Sequence, residues 1–132
     1  MTAPVFAAAP AGVSIEQPRM RLIIKNRPAA GYFTIKNRGT SPVKLTGASS
    51  IGCGMVMLHQ SKEENGVDKM LPVESVMVPA HGSVSFAPGG YHLMCMKPQS
   101  AMQVGHDVPV TLKFANGDSL TTQFLVRGAS GK

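Results

Sequence analysis

The sequence is poor in the residues that several common functions require. It has no tryptophan and only two tyrosines, Tyr32 and Tyr91, and no basic stretch is interleaved with aromatic residues that could stack on bases. It has seven acidic residues, and none recurs in a paired arrangement suited to acid–base catalysis. No apolar run approaches the roughly 20 residues that span a bilayer. These absences argue against nucleic-acid binding and against an integral membrane segment.

Enzyme motifs are also missing. There is no GxSxG nucleophile elbow, no glycine-rich phosphate loop and no HExxH pair, and His106 and Asp107 are adjacent rather than arranged as a triad. A blue-copper electron carrier would need a cysteine thiolate with two histidines and an axial methionine. Cys95 lies near His92 in sequence, so this alternative stays open until the Cu(II) absorption spectrum is measured. We expect a protein that is not an enzyme.

Cysteine is scarce as well. Cys53 and Cys95 allow one disulfide, two free thiols or auxiliary metal ligands. On a strand, Cys95 would point away from Met94, which precedes it directly. We therefore favour a buried, chemically quiet Cys95.

Short alternating apolar segments broken by turn residues indicate an all-β sandwich with at most one turn of helix. The clearest prediction is a hairpin in which residues 108–114 and 120–126 alternate on either side of Asn116-Gly117. Earlier strands are predicted at residues 21–25, 31–37, 43–49, 55–61, 75–78, 83–86 and 91–96. We expect one domain at residues 13–127, a flexible segment at 1–12 and a short tail at 128–132.

The positive charge is uneven. Residues 1–60 hold seven lysines or arginines against one acid, Glu16, whereas residues 61–132 hold six of each sign. The simplest interpretation is a solvated basic face, and the functional alternative is docking to an acidic partner or an anionic membrane surface.

Histidine and methionine provide the most specific signal. His59 is followed after ten residues by Met70, after twenty-one more by His92, and after one more by Met94. Thioether sulfur is soft and imidazole is borderline, so this donor set suits Cu(I) better than Zn(II), Mg(II) or Ca(II). His92 and Met94 share one face only if their segment is a strand. Met70 follows residues 61–68, which we predict to be a flexible loop.

Structural roles compete with this interpretation, because methionine is most often a core filler. We assign Met20, Met77 and Met102 to that class, and His81 and His106 to ordinary polar positions beside turns. Met55 is assigned to packing, whereas Met57 and Met96 stay open as packing residues or additional thioether donors. A metal-free β-sandwich interaction domain is therefore an alternative function.

A resemblance favours the metal site. The chain from about residue 13 to 126 resembles the PCuAC family of periplasmic copper chaperones in GYFTIKNRG, in the LHQ around His59 and in the KMLPV around Met70. PGGYHLMCM, with its His-x-Met pair, and VGHDVPVTLKFANGDSL also match.

The resemblance implies a cupredoxin-like, Greek-key β-sandwich that binds one Cu(I) through His59, Met70, His92 and Met94. It also implies a periplasmic monomer that delivers copper to an acceptor, expected to be the dinuclear copper site of cytochrome c oxidase subunit II. Copper storage or tolerance is the alternative in this class. The chain ends RGASGK, without the Met/His-rich tail of many relatives, so we expect no tail site.

Overall fold

The computed structural model describes residues 10–24 and 27–128, which form ten β-strands and no helix. The strands are β1 Val13–Arg21, β2 Ala29–Asn37, β3 Val43–Ser49, β4 Cys53–Glu64, β5 Val67–Pro72, β6 Val76–Val78, β7 Gly82–Phe86, β8 Tyr91–Pro98, β9 Asp107–Phe114 and β10 Ser119–Arg127. The prediction of an all-β protein is confirmed for this part of the chain. It contains no helix that is long and apolar enough to cross a membrane.

The strands join into one sheet in the order β5-β4-β8-β7-β2-β1-β10-β9-β3-β6. A further pairing of β3 with β4 brings distant parts of this order together, so the sheet curls into a barrel-like sandwich. β8 also pairs with β2, on the other side of β7 in this order. β4 and β8 are neighbours although three strands separate them along the chain. This long-range pairing is what positions the candidate site.

The core lies inside the sandwich, where most strands present one apolar face. Phe33 stacks on Phe86, with ring centroids 4.4 Å apart, and meets Phe124 edge to face. Leu58 of β4 and Leu93 of β8 are buried in the same core. Because side chains alternate along a strand, the residues on either side of these leucines face outward.

The predicted C-terminal hairpin is confirmed. β9 and β10 pair antiparallel from Ser119 opposite Lys113 to Leu125 opposite Asp107, and the turn contains Asn116 and Gly117. The segment predicted at 43–49 coincides with β3. The other predicted strands from residue 31 to residue 96 overlap observed strands.

The predicted first strand is wrong. β1 ends at Arg21, Leu22 to Ile24 lie outside any strand, and Lys25 lies outside the described residues. The sequence conceals β1 because its pairing with β2 shifts register between Glu16 and Arg19, at a bulge that contains Pro18. Proline is tolerated in a sheet at such bulges, and the extra residue breaks the alternation that reveals a strand.

The predicted loop at residues 61–68 is also wrong. β4 continues to Glu64, turns at Asn65-Gly66 and returns as β5, so Met70 lies on a strand. Asn65 and Gly66 both have positive φ, 53° and 79°, as a two-residue type I′ hairpin turn requires. The Asn-Gly pair was a usable signal, but the polar residues around it mask the apolar alternation. Met70 is therefore positioned by strand register.

Cys53 and Cys95 form a disulfide, with their Cα atoms 5.4 Å apart. The bridge ties the start of β4 to β8 and leaves no free cysteine among the described residues. The sequence had left a disulfide, two thiols and metal ligation open. Cys95 is fully buried, in agreement with the favoured role, and its sulfur is no longer available as a thiolate ligand.

Candidate metal site

His59 and His92 face each other on neighbouring strands. His59 of β4 lies directly opposite His92 of β8, and the two ring centroids are 5.6 Å apart with the planes at 75°. His92 is only 3% exposed, and His59 is half-buried. Two imidazoles held this close by strand pairing can both reach one ion.

Met94 adjoins this pair on β8. It lies two residues beyond His92, so both side chains project from the same face of the strand. Met57 of β4 is directly opposite Met94, one pair along from the two histidines. The predicted His-x-Met corner is therefore present, because the segment that contains it is extended.

Met70 approaches from the β5 side. It lies opposite Ser61, two residues from His59 along the ladder, and is 60% exposed. Met70, His92 and Met94 line one cleft of about 350 Å³, to which Tyr32 also contributes. His59 does not line this cleft, and it contacts the other predicted ligands through the ring of His92. The four predicted ligands thus lie together, and their role as ligands stays a prediction.

Both histidines carry a buried nitrogen without a hydrogen-bond partner in the described part of the chain. These atoms are Nδ1 of His59 and Nε2 of His92. Nδ1 of His92 lies 3.4 Å from the carbonyl oxygen of Gly90, which can only accept a hydrogen bond. This contact favours the tautomer in which Nδ1 carries the proton, so Nε2 keeps its lone pair. A buried polar atom without a partner is costly, and a metal ion would satisfy both nitrogens.

Carboxylates form no ligand cluster among the described residues, although Glu63 is one of the residues that line the cleft. Among the described residues, no group of three or more His, Cys, Asp or Glu side chains is arranged to hold a metal ion. The donors beside the two imidazoles are thioethers, which favour soft monovalent copper over harder cations. The residues present therefore fit Cu(I).

Burial lowers the pKa of His92 from its ordinary value of 6.5; the Gly90 carbonyl opposes this shift, and the nearby His59 adds to it. The unfolded chain therefore takes up a proton at His92 at a higher pH than the folded chain does. It follows that the metal-free fold loses stability as the pH falls below about 6.5. We expect the urea midpoint of metal-free protein to decrease between about pH 7 and about pH 5.

In a His92→Leu variant, this decrease should be smaller, whereas a variant of the exposed His106, His106→Ala, should behave like wild type. Equal pH dependence in wild type and His92→Leu would contradict the assignment of the effect to His92.

The remaining methionine predictions have mixed outcomes. Met20 and Met102 are buried in the core as predicted, but Met77 is 51% exposed and that prediction is wrong. Val76 and Val78 on either side of it are buried, so strand alternation turns Met77 outward. Met55 does not pack in the core either, since 58% of its surface is exposed.

Two residues near the site were not identified from the sequence. Tyr32 lines the cleft from β2, because β2 pairs with β8 and Ala30 lies opposite Met94. The backbone carbonyl of Gly90 contacts His92. Neither has a sequence signal of its own, because a cross-strand neighbour and a backbone acceptor are determined by the fold.

The fold and these side chains define a β-sandwich with a candidate soft-donor site on the outer face of β4, β5 and β8. The family model described as "Putative lipoprotein LpqE-like" matches residues 13–126. The chain therefore belongs to this LpqE-like family, which is the PCuAC-type family, and the resemblance seen in the sequence is confirmed.

Individual relatives agree with this assignment. A protein of Leifsonia xyli subsp. xyli, described as a putative lipoprotein, is 30% identical over 103 residues, which cover 77% of this chain and 62% of the relative. The chain thus spans about three fifths of the length of that relative. A copper-bound PCuAC domain from PmoF2 has the same fold, with a TM-score of 0.75, 22% identity and coverage of 94% of this chain and 99% of the domain.

The protein DR1885 of Deinococcus radiodurans is similar in two solution structures. Its apo form has a TM-score of 0.70 and 27% identity, and covers 100% of this chain and 92% of its own. Its Cu(I) form has a TM-score of 0.60 and 28% identity, with coverage of 88% and 75%.

Proposed function

We propose that this protein is a copper chaperone that binds one Cu(I) through His59, Met70, His92 and Met94. The observation that carries the proposal is the pair of buried imidazole nitrogens without partners on facing strands, next to two thioethers. A metal-free interaction domain would have no need for such a pair, because burying unpaired polar atoms costs stability.

The chemistry of the site suits reversible binding of copper as cargo. Neutral imidazole and thioether donors leave the complex with the single positive charge of Cu(I), and no thiolate is needed. With Cys53 and Cys95 joined to each other, the blue-copper alternative lacks its thiolate. Met70 is exposed at the rim of the cleft, so an acceptor could replace this weak donor first. The Cu(I) form of DR1885 supports copper as the cargo.

The acceptor that we propose is the dinuclear copper site of cytochrome c oxidase subunit II. A basic surface adjoins the cleft and could steer an acidic acceptor, because the guanidinium of Arg19 lies over the ring of Tyr32, 5.5 Å from its centroid. Arg21 lies two residues further along the same strand and is exposed. Opposite charges on two partners raise the rate of encounter, and salt screens the effect.

We further propose that the protein works outside the cytoplasm, in the periplasm, as a monomer and without enzymatic activity. The disulfide supports an oxidising compartment, where thioethers remain usable as copper ligands and thiols do not. The description of the family and of a relative as lipoproteins supports export. The finer description of the fold as a Greek-key, cupredoxin-like sandwich is also part of this proposal.

The ligand set is tested by replacing both proposed thioethers. Met70→Leu/Met94→Leu keeps side-chain volume but removes two donors, so the variant should lose the tightly held copper in an anaerobic titration against a chromogenic Cu(I) chelator. Met77→Leu changes an exposed methionine on β6 and is the matched control. Tight binding that is unaffected by the double change would rule out the proposed ligands. X-ray absorption on protein loaded with one equivalent of Cu(I) should count two nitrogen and two sulfur neighbours.

Delivery is tested by mixing the Cu(I)-loaded protein with the soluble copper domain of an oxidase subunit II under anaerobic conditions. We expect copper to move to the acceptor, at a rate that decreases with added salt and in an Arg19→Gln/Arg21→Gln variant. If no metal moves, the protein stores or sequesters copper, and the delivery proposal is wrong while copper binding stands.

A further inference from the structure

Three methionines outside the proposed ligand set lie beside it on the same two strands. Met57 is opposite Met94, and Met55 is opposite Met96. Along the pairing of β4 with β8, the two opposed histidines are therefore followed by two opposed pairs of methionines. The register is continuous over these pairs, and alternation places all six side chains on the outer face of the sheet. No other two strands in the described part of the chain present such a series of sulfur donors.

These methionines are near enough to share one ion. Directly opposed residues on antiparallel strands have Cβ atoms about 5 Å apart, and successive residues on one face of a strand are about 7 Å apart. A methionine side chain has three rotatable bonds, so its sulfur can swing toward a common centre between such positions. Strand pairing fixes the backbone positions of the three methionines, and side-chain rotation provides the adjustment that a ligand set needs.

Their exposure differs from that of packing methionines. Met20 is fully buried in the core, whereas Met55 is mostly exposed and Met57 and Met96 are half-buried. Exposed thioethers contribute little to the core, but a metal ion in solution can reach them. None of the three belongs to the buried core or to the partly buried apolar residues that pack against it, so a role as core filler does not explain these positions.

We propose that Met55, Met57 and Met96 form a second Cu(I) site, made of thioether sulfur alone, directly beside the histidine site. Three neutral soft donors select a monovalent soft cation and give Mg(II), Ca(II) or Zn(II) no suitable ligand. Cu(I) is d¹⁰ and accepts a trigonal arrangement. Met94 lies between the two sites, opposite Met57 and two residues from His92. Its sulfur can therefore bind an ion that moves from one site to the other.

The site is tested by methyl NMR of the full chain labelled with ¹³C at the methionine methyl groups, during anaerobic addition of Cu(I) as its acetonitrile complex. The first equivalent should shift the resonances of Met70 and Met94. A second equivalent should shift those of Met55, Met57 and Met96 and leave Met77, on β6, unchanged. Resonances of Met55, Met57 and Met96 that stay fixed beyond one equivalent would overturn the proposal.

Stoichiometry provides an independent measurement. A Met55→Leu/Met57→Leu/Met96→Leu variant should bind one copper where wild type binds two, and Met77→Leu should still bind two. The proposal does not depend on the histidine site, because His92→Leu should lose only the first, tighter equivalent and keep the second. If the triple variant still binds two coppers, the thioether site is disproved. If His92→Leu still binds two coppers, only the histidine site is disproved.

Discussion

A His92→Leu variant is expected to lose tight Cu(I) binding while its metal-free form stays folded and is at least as stable as wild type at neutral pH. His92 is almost fully buried, its Nε2 atom has no partner within the described residues, and its contact with Gly90 is long at 3.4 Å. Leucine has a similar volume and removes the unpaired polar atom, which offsets the lost contact. The proposed copper site would lose a ligand that is held on a strand.

We expect the affinity for Cu(I) to fall by more than about 100-fold, because removing even a group that only orients a metal ligand costs 10- to 100-fold. Chelator competition measures the affinity, and urea unfolding of the metal-free protein measures stability. His106→Ala changes a histidine on the exposed turn before β9 and should leave both quantities unchanged. A His92→Leu variant that binds copper as wild type does would remove His92 from the ligand set.

Removal of the disulfide in a Cys53→Ala/Cys95→Ala variant is expected to lower the free energy of unfolding by about 4 kcal/mol. The bridge joins residues that are 42 positions apart, and a cross-link over a loop of this length restricts the unfolded chain by about that amount. This is a large part of the 5–15 kcal/mol that typically stabilises a domain. Urea unfolding under non-reducing conditions measures the difference.

Copper stoichiometry should survive the same change. The pairing of β4 with β8 extends from Cys53 opposite Pro98 to Gln60 opposite Tyr91, and its backbone hydrogen bonds keep the histidines opposed without the bridge. Wild type treated with a reductant should match the double variant in stability. Equal stability of the variant and oxidised wild type would contradict the expected contribution of the disulfide, as would two reactive thiols in oxidised wild type.

The hairpin of β9 and β10 was predictable because each part of its pattern is local. Apolar residues alternate along both strands, and an Asn-Gly pair separates them. β1 was not predictable, because a bulge at Pro18 interrupts its alternation and its pairing partners are distant. The β4–β5 hairpin carries the same Asn-Gly signal, yet charged residues on both strands obscure the alternation that would have drawn attention to it.

The candidate site, like the fold, could be predicted from the sequence only in part. The spacing of His59, Met70, His92 and Met94 predicted a set of donors and a preference for Cu(I), since donor chemistry belongs to the residues themselves. The extended conformation of β8, which gives His92 and Met94 a common face, agrees with the strand predicted at residues 91–96. The manner in which Met70 reaches the site did not follow, because its place depends on the register of β5 against β4.

The sequence by itself determined the all-β architecture, the soft character of the donors and the family, because strand alternation, ligand chemistry and motif spacing can all be read along the chain. Only the tertiary structure decided that His59 opposes His92, that Met57 and Met55 continue the series opposite Met94 and Met96, and that the two cysteines bond. The physical reason is that β4 and β8 pair directly although three other strands separate them along the chain. Their register is fixed by the packing and hydrogen bonding of the whole sheet, and no local pattern records which residue will face which.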